Sequence, residues 1–441
     1  MPFFKCSVDK RASLFNHKNN TVARKIFLAW SVLNLITLLS NARHSVPKNM
    51  KQKKHYKIIH IMPRFYSPSY TFILNLIERL KRDANDNTVL TKDVLIGGRK
   101  DVHDISINSL SYIKKHVQRK VNAIRGLVSR VNYARAKLIL EDFSPHVIHC
   151  HFGNSAQLMS SIEKYANHTY PQVVSLHGYD VFMHYKFERG YLRQMQALSN
   201  RKDVIFTVPS DFLKNKAVEQ LGIAEKNIEI VPNSFNEKLF THKFMMLDAQ
   251  QELRIANVSR FVDWKGQKFL IRALAILNKY RRVHVDFVGE GVERFKCMRL
   301  AEELGVFKHC TFHGALSPDK VSDIVGRCHL YVHTAVTMKS GQTETFGIAI
   351  LEAIAMGKPA IYFDVGGISE VFGRLESKYY IGVEEKNHTD LVKAILEIIP
   401  LLEKLDTDYL KKLCNEVTAM YSEDNYINKI YALYDRVTSA S

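Results

Sequence analysis

Short apolar runs alternate with amphipathic segments along most of the chain. Between residues 57 and 235 the apolar runs have the length of buried strands, and the segments between them show helical spacing of apolar positions. Apolar strands that alternate with helices are typical of a parallel, doubly wound sheet. The predicted strands are 57–62, 89–96 and runs beginning at Val147, Val173, Val204 and Ile228.

The pattern continues after a polar stretch near residue 245, so we predict two α/β domains. A chain of 441 residues is long enough for two separate cores. The second half predicts strands at 254–259, 285–288, 330–333 and 360–363, and late helices at 391–402, 406–420 and 425–437. The predicted domains are a basic N-terminal extension (1–56), a first α/β domain (57–245) and a second one (246–441) whose terminal helix returns to the first.

The N-terminal extension contains an apolar segment at 26–39, followed by a polar and basic linker. This apolar segment is too short for a confident membrane span. Ser31, Asn34 and Thr37 recur every third residue and would give a helix here a polar stripe. We therefore predict a helix that lies at a membrane interface or packs on the fold.

Charge is unevenly distributed along the chain. The formal net charge is +19, and nearly all of the excess lies in residues 1–56 and 99–137. A concentrated cationic region indicates an anionic lipid surface or a nucleic acid as partner. Nucleic acid is the weaker alternative, because few aromatic residues interleave with the basic ones. The six cysteines show no paired short spacing and are typical of buried thiols in a reducing compartment.

Two acidic residues, Glu344 and Glu352, stand on either side of Phe346-Gly347. The apolar residues that follow predict a helix, with Glu344 in the loop before it and Glu352 one to two turns inside. The helix N-terminus between the two acids favours an anion. This order fits a long ligand with hydroxyl groups at both ends and phosphates in the middle, such as a nucleotide-sugar.

Glu344 and Glu352, with the Gly-Lys-Pro run at 357–359, resemble the E-x7-E motif of retaining glycosyltransferases of family 4. The His-Gly-Tyr-Asp run at 177–180 and the Val-Pro-Asn-Ser run at 231–234 are similar to further elements of that family, with serine replacing a family glycine. The run at 69–73 resembles one in surface-polysaccharide enzymes. The resemblance covers most of the chain from residue 57 onward, and it implies the GT-B fold, two facing Rossmann-like domains with an interdomain cleft.

Arg260 and Lys265 follow a predicted strand, where two cations can meet a diphosphate. The resemblance places such a pair on the diphosphate of the sugar donor, where Phe346 and Gly347 at the helix tip would also bind. Gly289 begins a Gly-x-Gly turn after another strand, and we expect it to line the nucleotide side of the cleft.

The remaining site residues take roles at the two ends of the ligand. Glu352 is expected to bind the ribose hydroxyls and Glu344 a hydroxyl of the transferred sugar, since a carboxylate only accepts hydrogen bonds. The resemblance implies that His177 reaches the donor sugar or the acceptor hydroxyl. His149 and His151 are interpreted as structural residues bonded to backbone.

The resulting hypothesis is a retaining, metal-independent glycosyltransferase without a cofactor, which moves a sugar from a nucleoside-diphosphate sugar to a glycan or lipid-linked acceptor. It predicts polysaccharide biosynthesis and a cytoplasmic protein peripheral on the inner face of an anionic membrane. The alternatives are an epimerase or phosphorylase on the same fold, an inactive homologue, and a basic nucleic-acid-binding protein. The nucleotide base, the sugar and the acceptor stay open.

Overall fold

The computed structural model describes residues 54–65, 71–94, 102–104, 132–183 and 190–440, with backbone alone at 63–65, 71, 92–94 and 102–104. From His55 onward these residues belong to one compact unit. The predicted helix at 26–39, nearly all of the basic extension and most of the second cationic segment lie outside the described residues.

The first sheet is parallel throughout and has seven strands in the order β3-β2-β1-β4-β5-β6-β7. The order reverses between β1 and β4, which makes a crevice at the carboxyl ends of these strands. The strands are β1 (Lys57–Phe65), β2 (Asp86–Val94), β3 (Val102–Asp104), β4 (Val147–His151), β5 (Gln172–Ser175), β6 (Val204–Val208) and β7 (Ile228–Ile230).

The second sheet repeats this topology with six parallel strands in the order β10-β9-β8-β11-β12-β13. The predicted fold class is confirmed: the chain is an α/β protein with two doubly wound parallel sheets. We call β1–β7 with their helices the first lobe and β8–β13 with theirs the second lobe. The strands are β8 (Leu253–Val258), β9 (Val283–Val288), β10 (Cys310–Phe312), β11 (Leu330–His333), β12 (Ala360–Phe363) and β13 (Tyr380–Val383).

Helices connect the strands and cover both sheets. In the first lobe they are α1 (Thr71–Arg82), α2 (132–143), α3 (Gly153–Ala166), α4 (Tyr179–Phe182), α5 (Tyr191–Ser199) and α6 (Asp211–Leu221). The helices of the second lobe are α7 (Gln267–Leu277), α8 (Arg294–Glu303), α9 (Pro318–Gly326), α10 (Ile348–Ala355), α11 (Ile368–Gly373), α12 (His388–Glu403) and α13 (Thr407–Tyr421). The last helix, α14 (Glu423–Ser439), follows the second lobe.

Strand β1 is longer than the sequence predicts, because it continues through Pro63. Its pairing with β4 ends at Ile61, whereas its pairing with β2 continues to Phe65. Beyond Ile61 the strand has one neighbour only among the residues that the structure describes, and proline is tolerated where one side of a strand is unpaired. The short β3 was not predicted, because three residues are too few to show an alternation of apolar and polar positions.

The last helix, α14, packs on the first sheet although it follows the second lobe in sequence. Ile427, Ile430, Tyr434 and Val437 recur at helical spacing and are all fully buried. They share a core cluster with Ile58 and other residues of the first sheet. Apolar contacts therefore hold the two ends of the described chain together.

A buried polar contact fixes the position of this helix. The Tyr434 hydroxyl lies 2.7 Å from Nδ1 of His149 on β4, and both side chains are fully inaccessible to solvent. A buried polar group without a partner costs free energy, so this bond selects one docking position for the helix. In the part of the chain that the structure covers, no helix has the combined length and hydrophobicity of a membrane span.

We predict that Tyr434→Phe lowers the free energy of unfolding by about 1–3 kcal/mol, because His149 Nδ1 is left buried without a partner. Urea denaturation followed by circular dichroism measures this. Tyr280→Phe is the matched control: Tyr280 is 70% exposed, and its substitution should change stability by no more than about 0.5 kcal/mol. Equal effects of the two variants would contradict the role of the buried bond.

Candidate active site

The loop after β8 brings two cations together around an indole ring. The Arg260 guanidinium carbon and the Lys265 ammonium nitrogen lie 5.9 Å and 4.4 Å from the centroid of Trp264. The loop ends at Gly266, whose φ is 64°, and a Cβ there would stand 2.1 Å from the Thr334 carbonyl oxygen. A glycine is therefore required for this loop to close against the end of β11.

Lys265 pairs with a buried carboxylate. Its ammonium group donates to Glu344, and His333 Nε2 lies 3.3 Å from the same carboxylate oxygen. Burial alone would raise the pKa of Glu344, but Lys265 and His333 hold it well below its ordinary value. Burial lowers the pKa of His333, although the bond to Glu344 opposes this. The group therefore consists of an ionised Glu344, a cationic Lys265 and a neutral His333.

Glu352 has the opposite environment. It lies in the second turn of α10, and burial raises its pKa to about 8. Among the described residues, no cation or hydrogen-bond donor to its carboxyl group is recorded. Burial raises the pKa of the neighbouring Tyr331 hydroxyl, and Glu352 and Glu344 raise it further, so both acids are close to one buried phenol. Glu352 is thus a carboxyl group with unused hydrogen-bonding capacity.

The helix tip between the two acids is formed by Gly347. This residue precedes α10 with φ 87° and offers no side-chain cap, so the first N–H groups of the helix stay available. The Phe346 ring points away from the tip, because it is 4% exposed and packs 5.7 Å from the ring of Tyr421. Only the main chain of Phe346 is therefore placed to bind an anion at this helix tip.

Gly289 lies against the loop that carries Arg260. Its φ is 140°, and a Cβ at this position would stand 2.0 Å from the Ser259 carbonyl oxygen and 3.5 Å from the Arg260 Cα. Any side chain at Gly289 would displace the backbone on which the Arg260 guanidinium depends. Its place is therefore set by packing against the cationic loop.

His177 follows β5 on the first lobe. Its ring contacts the edges of Phe72 and Phe152 at 4.9 Å and 4.7 Å between centroids. Burial lowers the pKa of His177 to about 3, and Nε2 is buried without a hydrogen-bond partner among the described residues. The next residue, Gly178, brings this loop to the second lobe, since a Cβ there would stand 2.6 Å from Thr345 Cγ2. The backbone directly after the neutral imidazole thus lies beside the Glu344 loop.

Asp180 holds this loop in place, and the sequence interpretation assigned it no role of its own. Its carboxylate accepts from the backbone N–H groups of His177 (3.0 Å), Gly178 (2.9 Å) and Gly153 (2.9 Å). Burial raises the pKa of Asp180 to about 6, against the effect of these bonds. An Asp in the first turn of a helix that follows a strand is a capping pattern, and that signal was available in the sequence.

Three buried histidines, His60, His149 and His151, present ring nitrogens within 4.8 Å of one another. Stacked rings tilted by only 14° and 19° do not aim in-plane lone pairs at one point, as metal ligation requires. His60 Nδ1 lies 3.1 Å from His151 Nε2, and His149 bonds Ser175 and Tyr434. The cluster is a structural hydrogen-bonded column, and its recorded partners are side chains, where the sequence interpretation placed backbone partners.

The structure brings together most of the predicted residues of the second lobe. Lys265 contacts Glu344 directly, and Gly289 packs on the Arg260 backbone. Gly347 precedes α10 and Glu352 lies in its second turn. The loop of His177 approaches this group through Gly178 and Thr345. The sequence analysis gave no role to His333. Its position at the carboxyl end of a predicted strand was the signal that could have placed it there.

Two family models match this chain, and together they cover most of it. "Glycosyltransferase Family 4" matches residues 69–239, and "Glycosyl transferases group 1" matches residues 242–407. The two matches correspond to the first and second lobes. They follow one another in sequence, with two residues between them.

Proteins that are similar in sequence are named as glycosyltransferases. An uncharacterised glycosyltransferase of Methanocaldococcus jannaschii is 24% identical over 77% of this chain and 88% of its own. One subunit of the Arabidopsis thaliana phosphatidylinositol N-acetylglucosaminyltransferase is 22% identical over 52% of this chain; the match spans 48% of that relative, about half its length.

Two solved structures share the fold. A glycosyltransferase from Rickettsia africae has a TM-score of 0.68 at 19% identity, covering 88% of this chain and 100% of its own. Anabaena HepE in complex with UDP and glucose has a TM-score of 0.64 at 17% identity, with the same coverage. With both family domains in sequence and the two-sheet architecture of these structures, the chain is a glycosyltransferase of the GT-B type.

Proposed function

We propose that this protein is a retaining glycosyltransferase that uses a nucleoside-diphosphate sugar. The observation that carries the proposal is the Glu344–Lys265–His333 group, whose Glu344 lies in the loop that leads into the uncapped tip of α10. A cation and free N–H groups suit a diphosphate, and a buried ionised carboxylate suits a sugar hydroxyl.

The leaving diphosphate is the group that most needs stabilisation during transfer. Arg260 is exposed and forms no recorded ion pair with described residues, so its guanidinium is available to a ligand. Lys265 would share its ammonium group between Glu344 and the phosphate, and the α10 tip would add backbone N–H groups. Preorganised positive groups of this kind stabilise developing negative charge without reorganisation.

The protonation states limit which residues can move a proton. His177 is neutral with a pKa of about 3, so it is a weak base and suits a hydrogen bond to a hydroxyl group. Glu344 is already ionised, and its ion pair with Lys265 holds it at the sugar end. We propose same-face displacement, in which the departing phosphate accepts the proton of the acceptor hydroxyl. This route gives retention at the anomeric carbon.

The comparisons suggest which substrates to test first. HepE was solved with UDP and glucose, which makes a UDP-sugar the first candidate donor. Relatives named as subunits of phosphatidylinositol N-acetylglucosaminyltransferase favour a lipid-linked acceptor. The cationic excess before residue 138 would then serve docking on an anionic membrane, and surface-polysaccharide assembly is the proposed role.

We expect the purified protein to turn over at least one nucleotide-sugar from a panel of UDP-, GDP- and ADP-sugars. An α-linked donor should give an α-linked product, which NMR of the product measures. Excess EDTA should change the rate by less than about twofold, because the cationic groups take the part of a metal. A β-linked product would refute retention, and loss of activity in EDTA would refute metal independence. Interconversion of sugars without acceptor would favour an epimerase.

We predict that Arg260→Ala combined with Lys265→Ala lowers kcat at least about a hundredfold, since removing one group that stabilises transition-state charge costs about 10²–10³. Steady-state kinetics with saturating nucleotide-sugar measures this. Lys268→Ala is the control, because Lys268 lies nearby and pairs with Asp263 at 2.6 Å. A loss of less than about tenfold in the double variant would remove both cations from the mechanism.

Glu352→Gln should have opposite effects on binding and stability. The folded pKa of about 8 exceeds the ordinary 4.5. The protein therefore loses stability as pH rises from 4.5 through 8, and the glutamine variant should be more stable at pH 9 by about 1 kcal/mol or more. A ribose diol favours the ionised acceptor, so wild-type affinity should weaken up to about tenfold per unit as pH falls from 8 to 6.

Titration calorimetry of a nucleotide-sugar and urea denaturation, each across pH 6–9, measure the two effects. The diphosphate of a nucleotide-sugar does not titrate in this range, so the pH dependence reports on the protein. The glutamine variant should bind more weakly and without this pH dependence. Unchanged affinity in Glu352→Gln would refute the ribose assignment.

A further inference from the structure

The two lobes meet where α11 of the second lobe contacts the beginning of α6 on the first. The Glu370 carboxylate accepts hydrogen bonds from the backbone N–H groups of Asp211, at 2.8 Å, and of Phe212. Ser210 accepts from the Leu213 N–H at 3.2 Å. The first three N–H groups of α6 are therefore all occupied, two of them by a residue of the other lobe.

This contact is favourable on physical grounds and is easily reversed. The first N–H groups of a helix have no partner within the helix, and its dipole favours an anion at that end. The Glu370 carboxylate supplies that anion across the interface. Asp211 is exposed and Glu370 is partly exposed, so both groups can be hydrated when the contact opens. Such a contact stabilises the arrangement of the two lobes in this structure.

The same contact is connected to the Glu344 loop. The Ser210 hydroxyl donates to the Thr345 carbonyl oxygen at 2.7 Å, and the Gly367 N–H donates to the Glu344 carbonyl oxygen at 3.0 Å. A Cβ on Gly367 would stand 2.0 Å from the Thr345 carbonyl oxygen. The backbone before α11 is thus packed directly on the residue that we propose binds the sugar.

We propose that Glu370 is a positioning residue: it latches the second lobe to the start of α6 and thereby fixes the Glu344–Thr345 backbone for the nucleotide-sugar. Opening the latch frees the two lobes to separate and loosens that backbone. Only the kinetic consequence of this inference rests on the proposed function. The latch itself is tested without any substrate.

The direct test is hydrogen exchange of the Phe212 amide in full-length protein. Glu370→Ala should accelerate it at least about tenfold, because a charge-assisted hydrogen bond is lost. Glu376→Ala is the matched control, an exposed glutamate shortly after α11, and should leave this rate within about twofold of wild type. Equal rates in wild type and a folded Glu370→Ala variant would overturn the latch.

A second variant removes one bond from the other side of the contact. Asp211→Pro deletes the N–H at the first helical position, where proline is favoured, and Ser210 before it has extended backbone at φ −152° and ψ 157°. Asp211→Ala is its control, since it removes the carboxylate near Arg374 and keeps the N–H. Faster Phe212 exchange in Asp211→Pro than in Asp211→Ala supports the latch, and equal exchange overturns it.

The kinetic test separates positioning from damage to the fold. Saturating nucleotide-sugar restores closure, so Glu370→Ala should raise the KM for the nucleotide-sugar about tenfold and change kcat less than about threefold. A lower kcat with unchanged KM is the result of a smaller folded fraction and would overturn positioning. If wild-type protein turns over no nucleotide-sugar, the proposed function fails, while the exchange experiments still decide the latch.

Discussion

The buried ion pair between Lys265 and Glu344 is the interaction on which the rest of the site depends. A carboxylate with only 10% of its side chain exposed would be protonated without a cation nearby, and it then could not act purely as an acceptor. Lys265 keeps Glu344 ionised, and His333 adds a neutral donor on the same oxygen. Gly266 and Gly289 allow the backbone segments around them to approach closely, at the residue after Lys265 and at the backbone of Arg260.

Glu352 differs from Glu344, because burial raises its pKa and no recorded charge partner within the described part of the chain opposes that effect. Among the residues that the structure describes, no cation opposes its burial, so burial raises the pKa of this carboxyl group to about 8 and its ionisation costs stability. Core packing does not require the acid, because Leu351 and Ala353 beside it are already fully buried. A ligand with two adjacent hydroxyl groups would satisfy the carboxylate, and that is the physical reason for assigning Glu352 to a ribose.

The sequence predicted the fold well where apolar periods were long, and it assigned the residues of the acidic motif to the elements on which the structure has them. Alternating buried strands and helices gave both sheets, and Glu344 and Glu352 were placed correctly in the loop and in α10. The continuation of β1 past Pro63 was missed because it depends on which neighbours the strand acquires in three dimensions. The capping pattern that marks Asp180 was present in the sequence and was overlooked. The Lys265–Glu344 pair joins residues 79 positions apart, and no local pattern specifies such a contact.

Two helix N-termini beside the cleft illustrate how one physical device serves two purposes. At α10 the first N–H groups follow Gly347 and have no side-chain cap, which suits an anion that comes and goes. At α6 the same kind of groups are occupied by Glu370, an anion that belongs to the protein. Ser210, which begins α6, also bonds Thr345, two residues before Gly347. The occupied helix end therefore holds the segment that leads into the uncapped one, so in our proposal the contact between the lobes and the shape of the proposed phosphate site are coupled.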